Sequence, residues 1–92
     1  MSVRYTLTAA RQVEAALDYL AAQSLEAARG LRERLLVVTT LLEAHPFMGH
    51  GTSVRHIRRF PLGTYPYLVD YSIGRDAIIV RRFRHASRQP LS

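Results

Sequence analysis

The chain of 92 residues contains no cysteine and no long hydrophobic run. Without cysteine, neither a disulfide framework nor a thiolate metal site can form. No apolar stretch approaches the roughly 20 residues that a membrane-spanning helix needs, and the first residues lack the apolar core of a signal peptide. We therefore expect a soluble, cytoplasmic protein. A chain of this length buries one modest core, which predicts a single domain over residues 1–92.

Lysine is absent throughout, and acidic residues are scarce in the second half. Residues 1–44 carry five arginines and five acids, whereas residues 45–92 carry eight arginines and only two acids, Asp70 and Asp76. The net charge of +6 therefore lies entirely in the second half. A basic field of this kind attracts a polyanion or an acidic protein. The asymmetry favours a partner surface over a basic surface that only aids solubility.

Hydrophobic periodicity predicts one strand and two helices in the first half. Residues 3–7 alternate between apolar and polar side chains, which is typical of a short strand. Thr8 is the predicted N-cap of a helix that runs to about Gln23. Ser24 is the predicted N-cap of a second helix, which ends near Ala44. Because the break between the helices is short, they should fold back as an antiparallel hairpin.

The second half of the chain has the period of two that strands show. Residues 54–60, 67–72 and 77–83 are predicted strands, with turns at 61–64 and 74–76. The predicted order is β-α-α-β-β-β. This is an α+β fold in which a helical hairpin packs on one face of a small, mostly antiparallel sheet.

Both faces of the last predicted strand carry bulky side chains. Strict alternation divides them into two sets, Ile79, Arg81, Phe83 and His85 on one side and Ile78, Val80, Arg82 and Arg84 on the other. The helices can cover only one sheet face. A second face that is partly apolar and edged by arginine therefore suggests a surface that a partner covers.

A series of short motifs extends over nearly the whole chain. They are Tyr5 with Ala9-Ala10, Leu42…Pro46-x-x-Gly49, Val54-Arg55-His56-Ile57, Phe60-Pro61-x-Gly63-x-Tyr65-Pro66-Tyr67, Val69-x-Tyr71, Val80-Arg81 and His85-x-x-Arg88. In this order and spacing they resemble the ParE-type toxins (plasmid stabilisation proteins) of the RelE/ParE superfamily, the toxic half of type II toxin–antitoxin modules. The resemblance implies the β-α-α-β-β-β fold that the periodicity also predicts.

The resemblance implies two different functions. ParE-like members bind DNA gyrase, stall it and cause DNA breaks, without being known as nucleases. RelE-like members are endonucleases that cut mRNA on the ribosome. The ending His85-x-x-Arg88 and the long helical hairpin look more like ParE, so we expect a gyrase inhibitor that is not an enzyme. RNA cleavage is the alternative, as is a homologue that has lost toxicity.

Cutting RNA needs a proton shuttle beside cations that hold the scissile phosphate. No tyrosine follows Tyr71, so His85 is the candidate acid or base in that alternative. The candidate phosphate clamps are arginines of the basic half: Arg55, Arg59, Arg81 and Arg88.

For the gyrase reading, the predicted target-binding residues lie at the end of the last strand and just after it: Arg81, Arg84, His85 and Arg88. The resemblance also implies a cognate antitoxin, with an acidic or amphipathic segment that folds on binding. Its candidate contacts are Leu17, Leu20, Leu31, Arg55 and Arg59. The leucines also suit the core. Arg55 and Arg59 lie on the same face of the predicted strand, and either could instead pair with Asp70 across the sheet.

Other ligands are not expected from the sequence. His45, His50 and His56 have spacings that match no metal motif, so we predict neither a metal nor a cofactor. Direct nucleic-acid binding is not expected, because neither predicted helix carries a basic recognition stripe. Three tyrosines of the second half, Tyr65, Tyr67 and Tyr71, could be stacking platforms for bases. They share one strand face, however, and we assign all three to the core or to its edge.

Overall fold

The computed structural model describes residues 1–87 and contains two helices and five strands in that range. The elements are β1 (Ser2–Tyr5), α1 (Leu7–Gln23), α2 (Leu25–Ala44), β2 (His50–Gly51), β3 (Arg58–Pro61), β4 (Tyr67–Ile73) and β5 (Ala77–His85). The strands form one sheet in the order β1-β5-β4-β3-β2. β1 is parallel to β5, and the other neighbours are antiparallel. The predicted α+β fold with a helical hairpin is confirmed.

The two helix N-termini show one wrong prediction and one correct one. Thr6, not Thr8, caps α1, with its hydroxyl accepting a hydrogen bond of 3.1 Å from the amide of Ala9. The Thr6 amide also donates to the Val80 carbonyl at 3.0 Å, so the pairing of β1 with β5 sets the point where the helix begins. Ser24 caps α2 as predicted, because its hydroxyl accepts from the amide of Ala27 at 3.2 Å.

The strand predicted over residues 54–60 is wrong in its first half. β3 begins only at Arg58, and residues 52–57 form a loop that is closed by Thr52. The Thr52 hydroxyl donates to the Ile57 carbonyl at 2.9 Å, and His56 has a φ of 67°, in the left-handed region that interrupts an extended strand. The sequence also gave no sign of β2, whose two residues pair with β3.

A β-bulge in β5 overturns the predicted division of its side chains. Asp70 pairs with Arg82 and the next residue, Tyr71, pairs with Val80, so Arg81 has no residue opposite it. The extra residue reverses the alternation beyond it. Phe83 therefore points to the helix side with Val80 and is only 2% exposed. Strict alternation had placed it on the opposite side.

The core lies between the helices and the face of the sheet that they cover. Tyr67 stacks on Phe83 with ring centroids 5.0 Å apart, and Tyr71 is fully buried, which confirms their assignment to the core. The Tyr71 hydroxyl donates to the Pro46 carbonyl at 2.6 Å and accepts from the Gly49 amide at 3.0 Å. These two bonds attach the loop after α2 to the sheet. Burial raises the pKa of Tyr71, although the Gly49 amide acts in the opposite direction.

Neither helix is long and apolar enough to cross a membrane within residues 1–87. In that same part of the chain, no group of three histidine or carboxylate side chains is placed to hold a metal ion.

Candidate functional site

The C-terminal half of β5 borders two different surfaces. The first, which we call the arginine pocket, lies on the sheet face away from the core and encloses about 630 Å³. It is lined by Thr52, Ser53, Val54, Ile57, Arg59, Asp70, Arg81, Arg82 and Arg84. The second, which we call the helix groove, lies between β5 and α1 and encloses about 390 Å³. It is lined by Gln12, Ala15, Ala16, Tyr19, Tyr67, Phe83, Arg84, His85 and Ser87.

Asp70 is the centre of the arginine pocket and is only 5% exposed. Arg59 donates to it twice, from Nε to Oδ1 at 2.8 Å and from Nη2 to Oδ2 at 3.3 Å. This bidentate pair raises the pKa of the Arg59 guanidinium, chiefly through the hydrogen bond to the carboxylate. Arg59 therefore forms a structural ion pair across the β3–β4 ladder, one of the two roles that the sequence left open.

The buried Arg84 guanidinium has fewer hydrogen-bond acceptors around it than it has donors. Its side chain is 10% exposed, and Nη2 makes one long contact of 3.4 Å with Asp70 Oδ2. Its Nε and Nη1 are buried without a hydrogen-bond partner. A buried guanidinium normally has its donors satisfied, and an orphan donor of this kind requires an explanation.

The pocket has an excess of positive charge. Four arginines and one aspartate line it, which leaves a net charge of +3. Arg81 and Arg82 are exposed at its rim, and Arg81 Nε donates to the Ser72 hydroxyl at 2.7 Å. The pocket therefore presents a concentrated positive field on one face of the sheet.

The helix groove has a different character, with mixed polar and apolar walls. Gln12 Oε1 accepts from the Phe83 amide at 2.8 Å, because β1 ends before it can pair with this part of β5. The His85 ring packs edge-on against Tyr67 at 5.2 Å, and its Nδ1 lies 2.6 Å from the Ser87 hydroxyl. Tyr19 forms the outer wall and is 61% exposed.

The structure brings together some of the predicted site residues and separates others. Arg59, Arg81 and Arg84 meet in the arginine pocket. His85 lies in the helix groove on the other side of the sheet, although strict alternation had placed it with Arg81. Arg88 lies outside the described residues.

The prediction that Arg55 and Arg59 lie on one strand is wrong, because β3 begins only at Arg58. Arg55 lies in the loop at residues 52–57 and lines a third depression, together with Phe47 and His56. The predicted common face of Arg55 and Arg59 is therefore wrong, because the turn at His56 separates the two residues.

The predicted antitoxin contacts need one correction. Leu31 is completely buried in the core, so its side chain offers no surface to an antitoxin in this conformation. Leu17 and Leu20 are half-buried against the core and keep some exposed surface on α1.

Sequence reasoning missed several residues of these two surfaces. Strict alternation placed Arg82 on the face opposite to Arg81, and only the bulge at Arg81 reveals that both arginines border the same pocket. The available signal was the occurrence of two adjacent arginines within a β-branched strand. Gln12 and Tyr19 gave no signal, because each looks like an ordinary residue on an amphipathic helix.

Comparison with known proteins identifies the family. The family described as the ParE toxin of the type II toxin–antitoxin system, parDE, matches residues 3–90. The chain belongs to the ParE toxin family. It is therefore a toxin of a type II toxin–antitoxin system, and a cognate antitoxin is its partner.

The fold of this ParE toxin is also that of a solved relative. A chain from the chromosomal ParDE toxin–antitoxin system of P. aeruginosa superimposes with a TM-score of 0.80 and is 20% identical in sequence. The match covers 92% of this chain and 95% of the P. aeruginosa chain. At this identity the likeness establishes the fold. No curated protein sequence matches significantly.

Proposed function

We propose that this ParE toxin acts in the cytoplasm by binding DNA gyrase and inhibiting it, until its antitoxin covers the toxin. Family membership supports this function, since ParE-like toxins typically act on gyrase and not on mRNA. The observation that carries the proposal is the separation of His85 from the arginine pocket. Within residues 1–87, the carboxylate of this strongly charged surface, Asp70, is held in ion pairs, and the His85 imidazole lies outside it.

A ribonuclease needs a proton shuttle within hydrogen-bond reach of the group that its cations hold. In residues 1–87, the titratable side chain that joins the arginines in their pocket is Asp70. That carboxylate already accepts hydrogen bonds from Arg59 and Arg84, which hold it as an ion-pair partner. The His85 imidazole faces α1 and contacts Ser87. This arrangement favours binding over RNA cleavage.

The exposed arginines of the pocket are our candidates for contact with gyrase. Arg81 and Arg82 point into solvent at the rim, where they can steer an acidic surface and form ion pairs with it. Arg84 and His85 extend this surface along β5 to the two sides of the sheet. Arg88, which lies outside the described residues, remains a candidate from the sequence.

The helix groove and the exposed loop are our candidates for contact with the antitoxin. Leu17 and Leu20 lie on α1, the helix that forms one wall of the groove. Arg55 is exposed in the loop and free of the ion pair that occupies Arg59. An amphipathic segment with acidic residues could combine these contacts as it folds on the toxin.

Two reactions on purified toxin freed from antitoxin test the proposal. One measures supercoiling of relaxed plasmid by gyrase, and the other measures ribosome-dependent cleavage of a translated mRNA. We expect loss of supercoiling, accumulation of cleaved DNA and intact mRNA, with recovery when antitoxin is added. Cut mRNA with unaffected gyrase would overturn the proposal.

Matched variants locate the gyrase contact. Arg82→Gln removes an exposed charge at the pocket, whereas Arg75→Gln removes an exposed charge in the β4–β5 turn. We expect Arg82→Gln to need about tenfold more toxin for half-inhibition, which corresponds to the loss of one charged contact. Arg75→Gln should act like the wild type. If the two variants lost the same amount of inhibition, the loss would reflect the toxin's net charge and not a contact of gyrase with the pocket.

A further inference from the structure

We propose that the arginine pocket is a binding site for a phosphate-type dianion, held by Arg84 together with Arg81 and Arg82. The site does not depend on the identity of the toxin's target. It rests on three features of the described residues: an unsatisfied buried guanidinium, an excess of positive charge and a cavity of suitable size.

The first feature is the state of Arg84. Two of its nitrogens, Nε and Nη1, are buried and make no hydrogen bond, and the third makes a contact of 3.4 Å. Leaving charged donors without acceptors is unfavourable, and an oxyanion supplies the acceptors. Both unpartnered nitrogens are shielded, so binding requires the guanidinium to turn from Asp70 towards the cavity. Asp70 would not be left unpaired, because its bidentate contact with Arg59 remains.

The second feature is the charge that surrounds Arg84. With four guanidiniums and one carboxylate, the pocket has a net charge of +3. A dianion neutralises more of this charge than a carboxylate or a phosphodiester, each of which carries a single negative charge. Arg81 and Arg82 lie at the rim with exposed side chains and can reach the same ligand.

The third feature is the shape and lining of the cavity. Its volume of about 630 Å³ exceeds what a free phosphate fills, and Val54 and Ile57 form an apolar wall beside the arginines. A phosphomonoester with an apolar or aromatic group would use both parts of the cavity. We therefore expect phosphomonoesters to bind more tightly than inorganic phosphate.

Nitrogen-15 NMR of the full-length toxin tests the site directly, because each arginine Nε–H gives its own signal. Inorganic phosphate and phenyl phosphate are titrated separately, against sodium chloride at matched ionic strength. We expect saturable shifts of the Arg84 and Arg82 signals and no shift of the Arg75 signal, with phenyl phosphate saturating at the lower concentration. Shifts that grow linearly and equally at all three arginines would show only a salt effect and would overturn the site.

Substitutions separate a ligand role of Arg84 from a structural one. Arg84→Met removes the buried charge and its orphan donors, so we expect an unchanged or higher Tm together with loss of phosphate binding. Arg82→Gln should weaken phenyl phosphate about tenfold or more, as expected when one charged hydrogen bond is lost. Arg75→Gln should leave binding unchanged. If Arg84→Met does not fold, the exposed Arg82→Gln still decides, and unchanged binding in that variant would refute the proposal.

A short single-stranded DNA serves as the competing ligand. It presents phosphodiesters, with one charge per phosphate, where phenyl phosphate presents a dianion. We expect phenyl phosphate to shift the Arg84 signal at a lower phosphate concentration than the DNA does. The reverse order would overturn the assignment to a dianion.

Discussion

Replacing Asp70 with asparagine removes the carboxylate at the centre of the arginine pocket while keeping the size of the side chain. Two guanidiniums then lose the carboxylate that balances their charge. Arg59 Nε lies 2.8 Å from Asp70 Oδ1, and Arg84 Nη2 lies 3.4 Å from Asp70 Oδ2. Asparagine can still accept one hydrogen bond, so part of the Arg59 contact survives. The Arg84 guanidinium, whose side chain is only 10% exposed, would remain buried with no acidic partner.

The structure sets the size of the expected effect. Breaking a buried ion pair by removing one partner costs about 3 to 5 kcal/mol. The Arg59 side chain is 32% exposed, so water screens part of that interaction. We therefore expect Asp70→Asn to lower the free energy of unfolding by about 2 to 4 kcal/mol. That is a large share of the roughly 5 to 15 kcal/mol that typically stabilises a domain.

Urea unfolding followed by circular dichroism measures this loss as a lower midpoint at an unchanged slope. Asp76→Asn, in the exposed β4–β5 turn, is the matched control and should change stability by less than about 0.5 kcal/mol. Adding Arg84→Met to Asp70→Asn should recover part of the loss, because it removes the unpaired buried cation. A loss below about 1 kcal/mol, or strict additivity in the double variant, would refute this account of the pocket.

Three further changes test the packing that positions the two surfaces. Alanine normally stabilises a helix relative to glycine by about 1 kcal/mol, but a Cβ at Gly30 would overlap the Tyr65 hydroxyl. We expect Gly30→Ala to lose about 1 to 2 kcal/mol in urea unfolding and Tyr65→Phe to restore most of it. Tyr71→Phe removes two buried hydrogen bonds to the loop after α2 and should cost about 1 to 3 kcal/mol. Because the folded-state pKa of Tyr71 is raised, the unfolded chain loses this proton first, and wild-type stability should fall above about pH 10 more steeply than that of the phenylalanine variant. Gln12→Ala leaves the Phe83 amide without an acceptor and should cost about 1 to 3 kcal/mol, whereas Gln12→Glu keeps an acceptor oxygen and should lose less.

Local patterns predicted most of the fold correctly. The break at Ser24 combines a capping hydroxyl with the end of one apolar stripe and the start of another, and both signals lie within a few residues. The β4–β5 hairpin was predicted equally well, since Gly74 closes a short turn with its amide bonded to the Ala77 carbonyl at 2.8 Å. In each case the deciding interactions connect neighbours in the sequence.

The wrong predictions share a different cause, which is pairing between distant residues. Thr8 and Thr6 are both reasonable caps, and the contact of Thr6 with Val80 selects between them. Residues 54–60 alternate as a strand would, yet β3 begins only at Arg58, and the preceding residues form a turn with a left-handed residue at His56. The local pattern of apolar and polar residues does not reveal either of these two features.

The sequence by itself determined the family, the helical hairpin on a sheet and the basic character of the second half. The tertiary structure alone decided which face each charged side chain of β5 occupies. A strand alternates its faces only while its register with its neighbour is kept, and one extra residue at Arg81 reverses every position that follows. That reversal moves Phe83 and His85 towards α1 and places Arg82 and Arg84 beside Asp70. The arginine pocket exists because of this register shift, which depends on β4 and not on the sequence of β5 alone.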